Sequence, residues 1–113
     1  MLLAALSFVV IASCYDGDTC TTTTGERVRL ACIDTPELVG MRAEPVPAKA
    51  ARDFLRNLVV GKKVRIRRIT KDRYGRTVAE LFIGTRNVQQ ELVATGHAKI
   101  YRRYSYQCPW TEG

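Results

Sequence analysis

Residues 8–33 read FVVIASCYDGDTCTTTTGERVRLACI, and the punctuation of this stretch decides the fold. Phe8 to Ser13 is apolar and β-branched, and the Asp16-Gly17 turn signal ends it. Cys20 to Thr24 is a threonine-rich run of high strand propensity, closed by a second turn at Gly25-Glu26. From Arg27 to Ile33, Val28, Leu30 and Cys32 alternate with Arg27, Arg29 and Ala31, the period of a half-buried strand. The stretch therefore predicts three antiparallel strands joined by hairpins, with Arg27 and Arg29 on the outward face.

Past the irregular segment from Pro36 to Pro45, Pro47 suits the first turn of a helix. Ala51, Phe54, Leu55 and Leu58 make one apolar stripe, and Gly61 ends the helix. Val64 and Ile66 alternate with charges, a loop follows at Asp72 to Gly75, and Thr77 to Ile83 reads as the returning strand. Asn87 with Gln90 predicts a capped second helix closed by Gly96, and Ala98 to Tyr101 a last short strand. The order β-β-β-α-β-β-α is that of a five-stranded OB-fold Greek-key barrel, an α+β, mainly β class with two helices. Periodicity alone also permits another small α+β sheet. The domain is expected over residues 8–113, preceded by an apolar segment over residues 1–12 that merges into the first strand.

A length of 113 residues leaves room for one domain and a modest core. Eighteen Lys and Arg against eleven Asp and Glu give a formal net charge of +7, which favours a polyanionic partner. Nucleic acid, an anionic membrane or an acidic protein would all feel that field. The distribution helps more than the total: Lys62, Lys63, Arg65, Arg67 and Arg68 cluster, with Arg73 and Arg76 beyond them and Arg102 and Arg103 near the end. The four cysteines match no clustered zinc spacing, and three full pairings are open. A Cys14–Cys20 bridge across the first hairpin is one possibility, buried free thiols another.

The apolar start, MLLAALSFVV, resembles the core of an export signal, and Ile11 to Cys14 fits a lipobox pattern. No basic residue precedes the run, and cleavage before Cys14 would remove the first strand. It is read as an uncleaved or atypical export segment or as the edge of a truncated product. The expected location is secreted, periplasmic or membrane-associated, with a cytoplasmic one the alternative.

Asp18 ends the first hairpin turn and Asp34 the third strand, so two carboxylates at loop mouths can converge on one hard cation with oxygen ligands. Each alone reads more often as a turn former that hydrogen-bonds its own backbone. Glu37, just past Pro36, is placed to orient or deprotonate a water. Arg29 and Arg76 can each grip a phosphate bidentately. Arg73, Tyr74 and Tyr104 can contact a phosphate or stack on a base.

Asp16-Gly-Asp-Thr19, Arg29-Leu-Ala-Cys-Ile-Asp-Thr-Pro-Glu37 and Asp72-Arg-Tyr-Gly-Arg76 resemble, in order and spacing, the three signature motifs of the staphylococcal-nuclease-like (thermonuclease) family. The resemblance runs from the first strand to Tyr104. It implies an enzyme cleaving the 5′ oxygen–phosphorus bond of DNA or RNA to leave 3′-phosphates, with Ca²⁺ as cofactor. Asp18, Asp34 and the backbone carbonyl of Thr35 are then the metal ligands, and Glu37 places or activates the attacking water. Arg29 clamps the scissile phosphate on the metal side, and Arg76 faces the leaving oxygen. A monomer with nucleic acid as substrate and no stable protein partner is expected.

The chain also departs from the family. It ends at Cys108-Pro-Trp-Thr-Glu-Gly113 where relatives continue into a charged C-terminal helix, so that helix is expected to be missing. Arg102 stands where the best-known relatives carry a tyrosine, and the segment from Glu37 to Pro47 is short. The competing expectation is a non-catalytic nucleic-acid-binding OB module. A basic adhesive or membrane-surface protein would explain the charge but none of the motifs.

Overall fold

The computed structural model describes residues 7–112, so residues 1–6 of the apolar segment expected over residues 1–12 lie outside the described residues. Strand β1 (Ser7–Asp16) does two jobs. Its first half pairs antiparallel with β5 (Lys63–Lys71), and its second half pairs antiparallel with β2 (Thr19–Thr22). Register irregularities between Ile11 and Ser13 and between Cys14 and Asp16 bend it from one partner to the other. β2 pairs with β3 (Arg27–Leu30), and β5 pairs with β6 (Thr77–Ile83). A parallel pairing of β3 with β6 closes the ring. The result is the expected closed five-stranded OB-fold barrel, in which no strand of the ring presents a free edge along the closure.

Additional short strands decorate it. β4 (Ile33–Asp34) pairs with β8 (Lys99–Ile100), and β7 (Arg86–Asn87) extends β6. Helix α1 (Pro45–Val59) lies between β4 and β5, and α2 (Val88–Ala94) follows β7. Pro45 and Pro47 both sit in the first turn of α1, where missing N–H groups cost nothing. The buried face of α1 is Ala48, Ala51, Leu55 and Val59, with Phe54 and Leu58 only partly buried beside it. The Asn87 side chain accepts from Gln90 N at 3.0 Å, the expected cap of α2. Among the described residues, no helix is long and apolar enough to cross a membrane.

Ile11, Val28, Leu30, Ile33, Leu55, Val59, Ile66, Leu81 and Leu92 are fully buried in one core. Full burial of each such side chain stabilises by about 1.5–3 kcal/mol relative to exposure. The strand expected to run to Ile33 stops at Leu30, because Cys32 takes a left-handed φ of 69°. That conformation is disfavoured for a residue with a Cβ. Cys32 is held in it from two sides: Tyr101 N donates to its carbonyl at 2.8 Å, and its sulfur is bonded to Cys108. A second disulfide joins Cys14 and Cys20, which face each other across the first hairpin. After β8 the described chain folds back as two 3₁₀ segments, Arg102–Gln107 and Pro109–Glu112.

Several cations of the Lys62 to Arg68 stretch are engaged in holding the barrel. Arg67 pairs with buried Glu80 at 2.8 Å, while Lys63 and Arg65 lie over the Phe8 and Phe82 rings. Arg68 grips Glu26 with Nε and Nη2, both at 2.8 Å, and Thr77 Oγ1 donates to the same carboxylate at 2.8 Å. The Arg68 hydrogen bonds are the main reason the Glu26 carboxyl is lowered from 4.5 to about 2. A folded-state value below the unfolded one means stability present above pH 4.5 and lost as the pH falls through about 2. With partial solvent screening the contribution is about 1–2 kcal/mol. Glu26→Gln should therefore lower Tm by several degrees at neutral pH and flatten the Tm–pH curve through that acid window. Parallel curves for the two proteins would rule the assignment out.

Candidate active site

The first hairpin turn is clamped from behind. A Cβ on Gly17 would stand 2.8 Å from Ala51 Cβ and 2.9 Å from Thr35 Cγ2, so only glycine lets α1 and Thr35 close on the turn. Asp16 Oδ1 accepts from Asp18 N at 3.1 Å and fixes the turn locally. Asp18 is thus directed inward, 7% exposed, with Oδ2 accepting from Thr35 N at 3.3 Å and Thr35 Oγ1 at 3.0 Å.

Arg29 lies between the two predicted carboxylates. Its Nη1 is 3.4 Å from Asp18 Oδ2, and its Nη2 is 3.9 Å from Asp34 Oδ1. Nη1 also donates to Leu30 O at 2.7 Å, which fixes the guanidinium plane. Asp34, on the two-residue strand β4, keeps its side chain 64% exposed. Asp16 stands beside Asp18, its carboxyl raised to about 6 by burial and then by the charge of Asp18. An extra cation would relieve that crowding. The donors present are hard oxygens, which fit Ca²⁺ or Mg²⁺ better than a soft metal. Among the described residues no three His, Cys, Asp or Glu side chains converge to hold a metal ion, so protein carboxylates alone do not complete a shell.

Arg76 is set by the loop between β5 and β6. Asp72 N donates to Arg76 O at 3.0 Å, and Asp72 Oδ1 accepts from Tyr74 N and Arg76 N, each at 2.9 Å. Gly75 makes the turn with a φ of +79°. Asp72 Oδ2 then takes Arg76 Nε at 2.7 Å. Burial pushes the Asp72 carboxyl up, but these donors and the guanidinium outweigh it and hold it below its ordinary value. The Tyr74 ring lies under two guanidiniums, 5.0 Å from Arg73 and 5.4 Å from Arg76, and Arg73 Nη2 donates to its hydroxyl at 2.8 Å. Arg27 ties the loop to β3 by donating to Tyr74 O.

These groups share one groove of about 570 Å³, lined by Arg29, Arg73, Tyr74, Arg76, Arg103 and Tyr104 among others. Every arginine and tyrosine singled out as catalytic or substrate-binding faces it. Its walls offer guanidiniums for phosphate and exposed aromatic faces for bases. Asp34 and Thr35 border a second groove.

Glu37 does not join the cluster. It is exposed on the loop after Thr35, its carbonyl accepts from Glu44 N at 2.9 Å, and its carboxylate lies toward Gly40. Among the described residues, that carboxylate makes no hydrogen bond or ion pair. Asp16 and Asp72 stand in the signature motifs without a role read from the sequence, and Tyr101 stands outside them. The i,i+4 spacing of Asp72 and Arg76 around Gly75 was the available signal for the second. Tyr101 is set beside the groove by the β4–β8 pairing, which continues into its N–H bond to Cys32 O at 2.8 Å, a non-local contact that no local pattern announces.

The sequence profile of the family described as staphylococcal nuclease homologue matches residues 27–111. An endonuclease of Haemophilus influenzae is 39% identical over 95 residues, covering 80% of this chain and 51% of the relative. The thermonuclease of Staphylococcus hyicus is 36% identical over 88 residues, 73% of this chain and 52% of the relative. The thermonuclease of Staphylococcus intermedius is 38% identical over 81 residues, 67% and 48%. The chain spans about half the length of these relatives. With the profile covering most of the chain and the barrel and arginine groove in place, this protein belongs to the staphylococcal nuclease homologue family.

Proposed function

We propose that the protein is a Ca²⁺-dependent nuclease that hydrolyses the 5′ oxygen–phosphorus bond of DNA or RNA and leaves 3′-phosphates. The observation that carries this reading is the shared placement of Arg29, Arg76, Tyr74 and Tyr104 on one groove, with Arg29 also within 4.0 Å of the Asp18 and Asp34 carboxylates. A phosphodiester is already anionic, and addition of a hydroxyl to phosphorus adds charge that guanidiniums must offset. Asp18, Asp34 and the Thr35 carbonyl would hold the ion, which when bound would supply Lewis-acid stabilisation of the phosphoryl oxygens.

The residues divide the remaining work. Arg29, fixed between the two acids, grips a non-bridging oxygen. Arg76, with Nε held by Asp72, turns its Nη groups to the leaving oxygen. Glu37 takes the proton of the attacking water as the new oxygen–phosphorus bond forms and the bond to the 5′ oxygen breaks. That oxygen is then protonated by solvent. Because Glu37 sits on an exposed loop, substrate or ion must draw it toward the phosphate. The two disulfides support an oxidising working compartment.

Digestion of single-stranded DNA should require added Ca²⁺ and stop with a chelator, and Glu37→Gln should slow it at least a hundredfold. An intact substrate at millimolar Ca²⁺, or a Glu37→Gln protein as fast as wild type, would sink the proposal. The separate position of the Glu37 carboxylate favours one competing reading, a non-catalytic nucleic-acid-binding module. Salt-sensitive, Ca²⁺-independent binding without cleavage would support that instead.

A further inference from the structure

A second groove of about 310 Å³ opens on the other side of the Arg29–Asp34 contact. That volume lies at the small end of ligand pockets. Asp34, Thr35, Glu44 and the segment from Gly96 to Tyr101 line it. Asp34 and Lys99 are directly opposed in the β4–β8 pairing, so their side chains leave the same face of that small sheet. Lys99 is exposed, and among the described residues no carboxylate lies within 4.0 Å of its ammonium group. Two residues on, Tyr101 lines both grooves, standing edge-on to Tyr104 with ring centres 5.2 Å apart.

A strand whose scissile phosphate rests at Arg29 and Arg76 must leave the site in two directions. The larger groove takes one. We propose that the second groove takes the other and is a nucleotide subsite, in which Lys99 pairs with the neighbouring phosphate and Tyr101 stacks on the neighbouring base. The Glu44 carboxylate in the lining repels phosphate and so favours its approach at Lys99. This assignment rests on the proposal that single-stranded nucleic acid is the ligand of the arginine groove, but it requires no cleavage.

Binding without divalent metal tests it separately from catalysis. The probe is a dye-labelled thymidine octanucleotide read by fluorescence anisotropy, with thymidine 5′-monophosphate as a competitor too short to span both grooves. Lys99→Gln should weaken octanucleotide binding five- to tenfold and leave the mononucleotide within twofold, while Tyr101→Leu, whose ring borders both grooves, should weaken the octanucleotide five- to tenfold and the mononucleotide by a smaller factor. Lys99→Gln alone should reduce the slope of log Kd against log salt by about 0.7, the share of one phosphate contact on a single strand. The subsite is overturned if both variants bind the octanucleotide within twofold of wild type, or if they weaken the two ligands alike. Intact two-groove binding without Ca²⁺-dependent cleavage would overturn the nuclease proposal and leave the subsite standing.

Discussion

Arg76→Ala should lower kcat on single-stranded DNA by about a thousandfold, the range seen when a preorganised donor to transition-state charge is removed. The expectation rests on how completely the side chain is fixed. Its Nε is held by Asp72 at 2.7 Å, and its plane lies 5.4 Å from the Tyr74 ring centre, so little freedom is left to lose when substrate arrives. Lysine should not rescue it, because an ammonium group can make neither the planar grip on phosphate nor the side-on bond to Asp72. Asp72→Asn keeps the shape and removes the charge that orients Arg76. It should cost about tenfold in kcat, with KM nearly unchanged. Steady-state kinetics on an oligonucleotide, with circular dichroism to confirm the fold, decide the matter. An Arg76→Ala or Arg76→Lys enzyme within tenfold of wild type would remove Arg76 from the chemistry.

The barrel was legible because its signals are local. Alternation at Val28 and Leu30 and turns at Asp16-Gly17 and Gly25-Glu26 fix three strands, and a threefold-to-fourfold apolar spacing fixes α1. What escaped is non-local. Nothing around Cys32 foretells a left-handed turn, since its cause is a bond to a residue 76 positions away and a hydrogen bond from Tyr101. Arg67 and Arg68 look identical in sequence to solvent-facing cations, and only the register of β5 against β6 and the reach to Glu26 reveal their partners. At the candidate site, strand-borne residues such as Arg29 were the easiest to anticipate, because a strand sets the direction of a side chain. Glu37, on an irregular loop, has no such frame, and it is the one proposed catalytic group that stands apart.

Removing the Cys32–Cys108 bridge should have the larger effect of the two disulfides, on stability and on substrate binding together. In the chain-entropy account the cost of losing a bridge grows with the loop that it closes. A separation of 76 residues corresponds to about 4.5 kcal/mol and a separation of 6 to about 2 kcal/mol. Urea unfolding of the paired serine variants, Cys32→Ser with Cys108→Ser and Cys14→Ser with Cys20→Ser, measures both. The long bridge also pins the last described segment of the chain, whose Tyr104 and Gln107 help line the arginine groove, and Arg67 reinforces it by donating to Gln107 O at 2.9 Å. Without the bridge, Arg67 and the Tyr101–Cys32 hydrogen bond are the main polar ties left to that wall, and each is worth about 1 kcal/mol. The Cys32/Cys108 variant should therefore raise KM about tenfold under conditions where it is still folded, while the Cys14/Cys20 variant, whose bridge stays within the first hairpin, should lose stability with little change in KM. Equal unfolding free energies for the two variants, or an unchanged KM for the first, would show that the folded-back segment is held by packing around Trp110 and not by the disulfide.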